Sequence, residues 1–235
     1  MAANGKQQNN EEPVHISMVL DRSGSMSGIA SDIVGGFNQF LAEQRTQPGI
    51  ARVTLAQFDS EDPFEVLIDG VDLREVTDLD RSAYQPRAMT PLYDAVGRMI
   101  AKVDADIAAR AERQAPAEDQ VVVIITDGLE NHSSEQTRST IFEMIEKRRR
   151  DGWVFVFLGA NQDVYAEGER MAVPVGNRAA WASTPKGSQQ MWKDVSYSTS
   201  GHRAKRRYQR MVDADEFYQK DPKQTPPERR KRPQQ

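Results

Sequence analysis

Asp21, Ser23 and Ser25 occupy alternate positions in the stretch DRSGS, and each carries a side-chain oxygen. In a nearly extended segment alternate side chains point the same way. One carboxylate and two hydroxyls then converge on one spot. Small hard oxygens with little total charge suit Mg²⁺, which keeps several waters and takes one or two carboxylates. The same residues also make a polar turn with Gly24 at the bend, and D-x-S-x-S alone does not separate the two readings. Its setting is more informative. Residues 14–20 (VHISMVL) read as a buried strand, so the oxygens fall just past a strand's C-terminal end, where open α/β sheets place ligands.

Two further polar breaks have comparable settings. Thr90-Pro91 opens a helix, with Pro91 at the first helical position and Thr90 as its N-cap. Asp127-Gly128 ends the β-branched run VVVIIT at 121–126, which reads as a central strand covered on both faces. Asp94, one turn into the helix, is expected to support the site or complement the helix dipole rather than bind an ion. Glu130 and Asn131 are expected to rim the site and tune partner choice, and His132 to be an exposed loop residue. A hydrolase triad of Ser25, Asp127 and His132 lacks a G-x-S-x-G elbow.

The elements that must position these residues follow from periodicity. Ile29, Ile33, Phe37, Phe40 and Leu41 mark a helix ending near Gln47, with Pro48-Gly49 as its stop. Gly35-Gly36 inside it costs helix propensity, which predicts close packing against the sheet. Residues 52–58 and 64–68 form an antiparallel hairpin, and 73–87 a loop with a short helical turn. Leu92, Val96, Met99, Ile100, Val103 and Ile107 form one apolar stripe. Thr137, Ile141, Met144 and Ile145 give a helix closed by Lys147-Arg148-Arg149-Arg150, cations suited to a helix C-terminus. Residues 153–158 form a buried strand, 161–171 a helix, 179–184 an edge strand and 187–197 a final helix, with an isolated helix expected over 203–217. Trp153, Trp181 and Trp192 are read as packing residues. Alternating strands and helices give an α/β fold with a doubly wound, Rossmann-like, mainly parallel sheet, one antiparallel strand and helices on both faces.

The pieces DRSGSM at 21–26, TPLYDA at 90–95 and VVVIITDG at 121–128, in this order, resemble the von Willebrand factor type A (VWA) domain family. The resemblance covers 14–158 well and extends through 159–200, where GANQDVYAEGERM and TPKGSQQMW look like small bacterial and bacteriophage members. It implies a metal-ion-dependent adhesion site (MIDAS). Asp21, Ser23 and Ser25 would come from the first loop, Thr90 from the second and Asp127 from the third, holding Mg²⁺ or Mn²⁺. A partner protein would supply an Asp or Glu to the ion, without enzymatic turnover. The resemblance also implies an AAA+ ATPase or an assembly complex as the setting.

Composition bounds the rest. The 235 residues suit one domain with tails: a disordered 1–12, the VWA domain at 13–200 and a basic tail at 201–235, partly helical or disordered. There is no cysteine, which excludes disulfides and thiolate chemistry. No apolar run approaches a membrane span and 1–13 holds no signal-like apolar region, so the expected location is the cytoplasm or a phage particle. Net charge is −4, yet 201–235 holds eleven Lys/Arg against five Asp/Glu, leaving −10 for 1–200. That asymmetry supplies the alternative reading, in which the tail binds nucleic acid or an acidic partner and the domain is its scaffold.

Overall fold

The computed structural model describes residues 12–160 and 164–218. Expectations for 1–11, 161–163 and 219–235, disorder at both ends included, lie outside the described residues. The apolar runs become six strands: β1 (Val14–Asp21), β2 (Ala51–Phe58), β3 (Glu65–Asp72), β4 (Asp119–Thr126), β5 (Val154–Ala160) and β6 (Arg178–Trp181). The amphipathic stretches become helices: α1 (Ala30–Arg45), α2 (Leu92–Glu112), α3 (Arg138–Arg150), α4 (Val164–Arg170), α5 (Pro185–Ala204) and α6 (Arg207–Val212).

The strands form one sheet in the order β3-β2-β1-β4-β5-β6. All neighbours pair in parallel except β2 and β3, which are antiparallel. This is the doubly wound, mainly parallel α/β sheet expected. β1 lies between β2 and β4, so successive connections leave it in opposite directions. The crevice beyond the C-terminal ends of β1 and β4 is therefore the topological switch point. Both strands are buried on both faces, as near-continuous apolar runs require. On one face Phe37, Phe40 and Trp192 of α1 and α5 cover Met18 and Val123. On the other, Val96, Ile100 and Ile141 of α2 and α3 cover Val19 and Ile124. Ile107 departs from its expected stripe and is exposed.

The glycine pair in α1 has a different cause from the one expected. A Cβ on Gly36 would stand 2.0 Å from Trp192 Cδ1, so Gly36 admits the α5 indole rather than the sheet. Nothing lies within 4 Å of a Cβ on Gly35. Two identical substitutions should thus have opposite signs in urea unfolding. Gly35→Ala should stabilise by roughly 0.5–1 kcal/mol through helix propensity. Gly36→Ala should destabilise by about 1–3 kcal/mol through overpacking.

The last helices also differ from expectation. α5 does not stop at Tyr197 but runs to Ala204, held by Arg203, which donates to the carbonyls of Gln44 (2.7 Å) and Gly49 (3.1 Å). In place of an isolated 203–217 helix there is the short α6, followed by a segment that packs back onto the body. Arg210 and Arg207 pair with Asp119 at 2.9 Å, and Phe217 is buried. The three arginines at the end of α3 are consumed likewise: Arg148 pairs with Asp104, Arg149 with Asp215 and Arg150 with Glu146.

Candidate metal centre

Asp21 is the last residue of β1, and the backbone beyond it is tied on both sides. The Arg22 N–H donates to the Phe58 carbonyl at 2.9 Å, extending the pairing of β1 with β2. The Arg87 N–H donates to the Arg22 carbonyl (2.9 Å) and the Gly24 N–H to the Ala88 carbonyl (3.2 Å). The Arg22 side chain turns away from the loop, pairing with buried Asp59 (2.6 Å) and with Glu65. Asp21, Ser23 and Ser25 are thus left facing the switch-point crevice, and a 3₁₀ turn, Gly24–Ile29, leads directly into α1.

The structure brings all five sequence-predicted residues together. The Ser23 and Ser25 hydroxyls are 3.1 Å apart, and Ser25 Oγ donates to Asp127 Oδ1 at 2.5 Å. Asp21 Oδ1 accepts the Ser23 N–H at 2.6 Å. A Cβ built on Gly128 would lie 3.3 Å from Thr90 Oγ1 and 3.9 Å from both Asp21 Oδ2 and Ser25 Oγ. Oxygens from three loops therefore surround one space beside Gly128, where a Cβ would touch those three atoms and press closest on Thr90 Oγ1. Thr90 is not the helix cap: Pro91 takes that position, with its carbonyl accepting the Ala95 N–H. The Thr90 hydroxyl is consequently available to the crevice rather than spent on the helix.

The electrostatics fit a divalent cation. Asp21, Asp127 and Thr90 are all buried. Among the described residues no Lys or Arg forms an ion pair with either carboxylate, and the groups bonded to them are hydroxyls and a backbone N–H. Burial pushes the Asp21 carboxyl up to about 6, hydrogen bonds from Thr126 and Ser23 oppose the shift, and the Asp127 charge adds to it. Two buried carboxylates and three hydroxyls constitute the hard, under-neutralised donor set that Mg²⁺ and Mn²⁺ prefer. A second cluster shows the contrast. His15, Asp106 and Glu118 converge at the other end of β1, but Arg52 donates to Asp106 at 2.9 Å and to Glu118 at 2.8 Å. There the protein supplies its own cation.

Several residues act differently from their sequence reading. Asn131 and Glu130 are not free rim groups. Asn131 Oδ1 accepts the Thr90 N–H (2.9 Å) while its own N–H donates to the Thr90 carbonyl (3.2 Å). Glu130 accepts the N–H groups of Tyr93, His132 and Ser133. Asp94, by contrast, supports the site as expected: it is buried and accepts the N–H groups of Ser134, Glu135 and Gln136. Together they clamp the third loop onto the start of α2. His132 is exposed, as expected, and Ser25 bonds directly to Asp127 with no imidazole between them. Sequence reasoning missed Thr126. Its hydroxyl donates to Asp21 Oδ2 at 2.6 Å and accepts the Gly128 N–H at 3.1 Å. The one hydroxyl closing an otherwise aliphatic strand was the available signal.

No protein-family model and no curated protein matches the chain. Solved structures do. A proximal thread matrix protein of the mussel byssus matches with TM-score 0.55 at 16% identity over 80% of this chain and 46% of that one; another structure of that protein has zinc in its MIDAS motif. Manganese-loaded TRAP of Plasmodium vivax matches with TM-score 0.53 at 18% identity over 77% and 72%. A von Willebrand factor type A structure from Catenulispora acidiphila matches with TM-score 0.50 at 15% identity over 81% and 43%. The chain thus spans under half of the mussel and Catenulispora chains. The fold is VWA-like.

Proposed function

We propose that this chain is a non-enzymatic protein-binding module whose grip depends on a divalent cation, Mg²⁺ first and Mn²⁺ as an alternative. The observation that carries the reading is the pair of buried carboxylates, Asp21 and Asp127, facing one crevice with three hydroxyls and no basic partner among the described residues. The matched mussel and Plasmodium structures, with zinc and manganese, support it by analogy of fold. When bound, the ion would supply a Lewis-acid centre able to take an anionic oxygen from outside.

The chain's own residues do the rest. Asp21 and Asp127 give two negative charges, which leaves a dication electrophilic toward a partner's Asp or Glu. Thr90 presents its hydroxyl just ahead of α2, whose positive end favours the same anion. The hydrogen-bonded clamp between Asn131 and Thr90 fixes the second and third loops to each other, so the rim is built before the partner arrives. Met89 and Leu129 flank Thr90 and Gly128 with large exposed apolar side chains, a suitable border for a buried ion contact. An AAA+ ATPase or an assembly complex, in the cytoplasm or a phage particle, is the partner setting this reading carries forward.

Among the described residues the basic-tail alternative has less support. Of its cations, Arg203 is spent on carbonyls of residues 44–49, Lys205 on Asp213, and Arg207 and Arg210 on Asp119. The deciding comparison sets Thr90→Ala against a chain ending at residue 218, with a partner captured in Mg²⁺ and released or retained in EDTA. Thr90→Ala and EDTA should each reduce capture at least tenfold, and the shortened chain should bind normally. Capture that ignores EDTA and Thr90→Ala but falls steeply with salt and with the truncation would move the function to the tail.

A further inference from the structure

A fourth loop reaches the crevice. Ser183 lies between β6 and α5, two strands away from β4 in the sheet, and its hydroxyl donates to Asp127 Oδ2 at 3.3 Å. The other oxygen of the same carboxylate is held by Ser25. Asp127 is thus bracketed by hydroxyls from the first loop and from the start of the last long helix.

Ser183 is presented by a tight, fixed turn. The Thr184 N–H donates to the Ala182 carbonyl at 2.7 Å, and Thr184 Oγ1 caps α5 by accepting the Gly187 N–H at 3.1 Å. A Cβ on Gly187 would stand 2.0 Å from the Ala182 oxygen, so glycine is what lets the chain pass this closely. Further along, α5 is locked to α1 where Trp192 fills the space over Gly36, and α1 follows directly from the loop that carries Ser25. A closed circuit results: Ser25 to Asp127 to Ser183, along α5 to Trp192, and back through α1.

We propose that Ser183 is a positioning residue of the metal centre, one that fixes the rotamer of Asp127. This rests on the metal reading given above. The physical basis is that a ligating carboxylate is oriented by the donors on its remaining lone pairs, and such outer partners are worth roughly ten- to hundredfold in metal affinity. Ser183 differs from the five crevice residues in belonging to neither the first, second nor third loop.

The test titrates Mn²⁺ into the full chain by calorimetry, for wild type, Ser183→Ala and Ser183→Thr, with urea unfolding of each in EDTA. Ser183→Ala should bind Mn²⁺ about tenfold more weakly or worse, with unchanged metal-free unfolding. Ser183→Thr, which keeps the hydroxyl, should recover most of the affinity. Equal affinity in wild type and Ser183→Ala overturns the role of Ser183 and leaves the metal reading standing. So does a Ser183→Thr variant as weak as Ser183→Ala, or a loss of metal-free stability that accounts for the weaker binding. A wild type that takes up no Mn²⁺ at all overturns the metal reading, and this inference with it.

Discussion

Asp21→Asn is expected to weaken Mg²⁺ and Mn²⁺ binding by more than about a hundredfold, beyond the range that outer partners alone command, while making the metal-free protein more stable at neutral pH. The first half follows from removing one of two charges in the crevice. The second follows from burial. The Asp21 carboxyl is fully buried and held up to about 6, so above that pH the fold confines a charge it disfavours. An amide fits the same bonds. Its oxygen can keep the Ser23 N–H, and its NH₂ can donate to Thr126 Oγ1, whose own proton can turn to the Gly128 carbonyl 3.0 Å away. A shift of about two units corresponds to on the order of 2–3 kcal/mol. Urea unfolding in EDTA at pH 7.5 measures the gain and calorimetry the loss. A variant both metal-free and less stable would mean that Asp21 is a structural acid whose charge the fold requires.

The crevice residues were legible because each lies where a strong local pattern breaks. β1 ends in an acid after apolar residues, an acid directly follows the last residue of β4, and a Thr-Pro step opens the most regular helix. The mainly parallel sheet with its one antiparallel strand was legible for a similar reason: strand and helix periods alternate from 14 to 158. What the sequence hid was long-range pairing of polar side chains. Asp94 and Asn131 are ordinary loop and helix acids and amides until the fold sets Ser134–Gln136 and Thr90 beside them. Ser183 is 56 positions from Asp127, with no periodicity linking them. Gly36 looked like a sheet contact because its partner, Trp192, comes from a helix much later in the chain. Propensity describes neighbours along the chain, whereas these contacts are set by the tertiary arrangement.

The second large effect concerns acid, and it pairs with the first. His15 and His202 are buried, and burial lowers both to about 4. Around His15, Arg52 and Arg110 reinforce the shift and Asp106 and Gln120 oppose it. Around His202, Arg210 and Lys205 reinforce it and Asp213 opposes it. A histidine lowered in the fold is protonated first in the unfolded chain. Stability is therefore full above the unfolded value, near 6.5, and is lost as pH falls toward 4, by on the order of 3 kcal/mol for each. Asp21 has the opposite sign in the metal-free protein. Its raised value makes the fold bind the proton more tightly, so its contribution to stability is present below the unfolded value and lost as pH rises through about 6. In EDTA the wild type should thus lose stability between pH 6.5 and 4.5 with one histidine partly offset by Asp21. Asp21→Asn should steepen that loss. A His15→Gln, His202→Leu double variant should reverse its sign, becoming more stable as pH falls over the same interval. Urea midpoints at four or five pH values give the three slopes, and a double variant that still weakens in acid as the wild type does would show that neither histidine is held neutral by the fold.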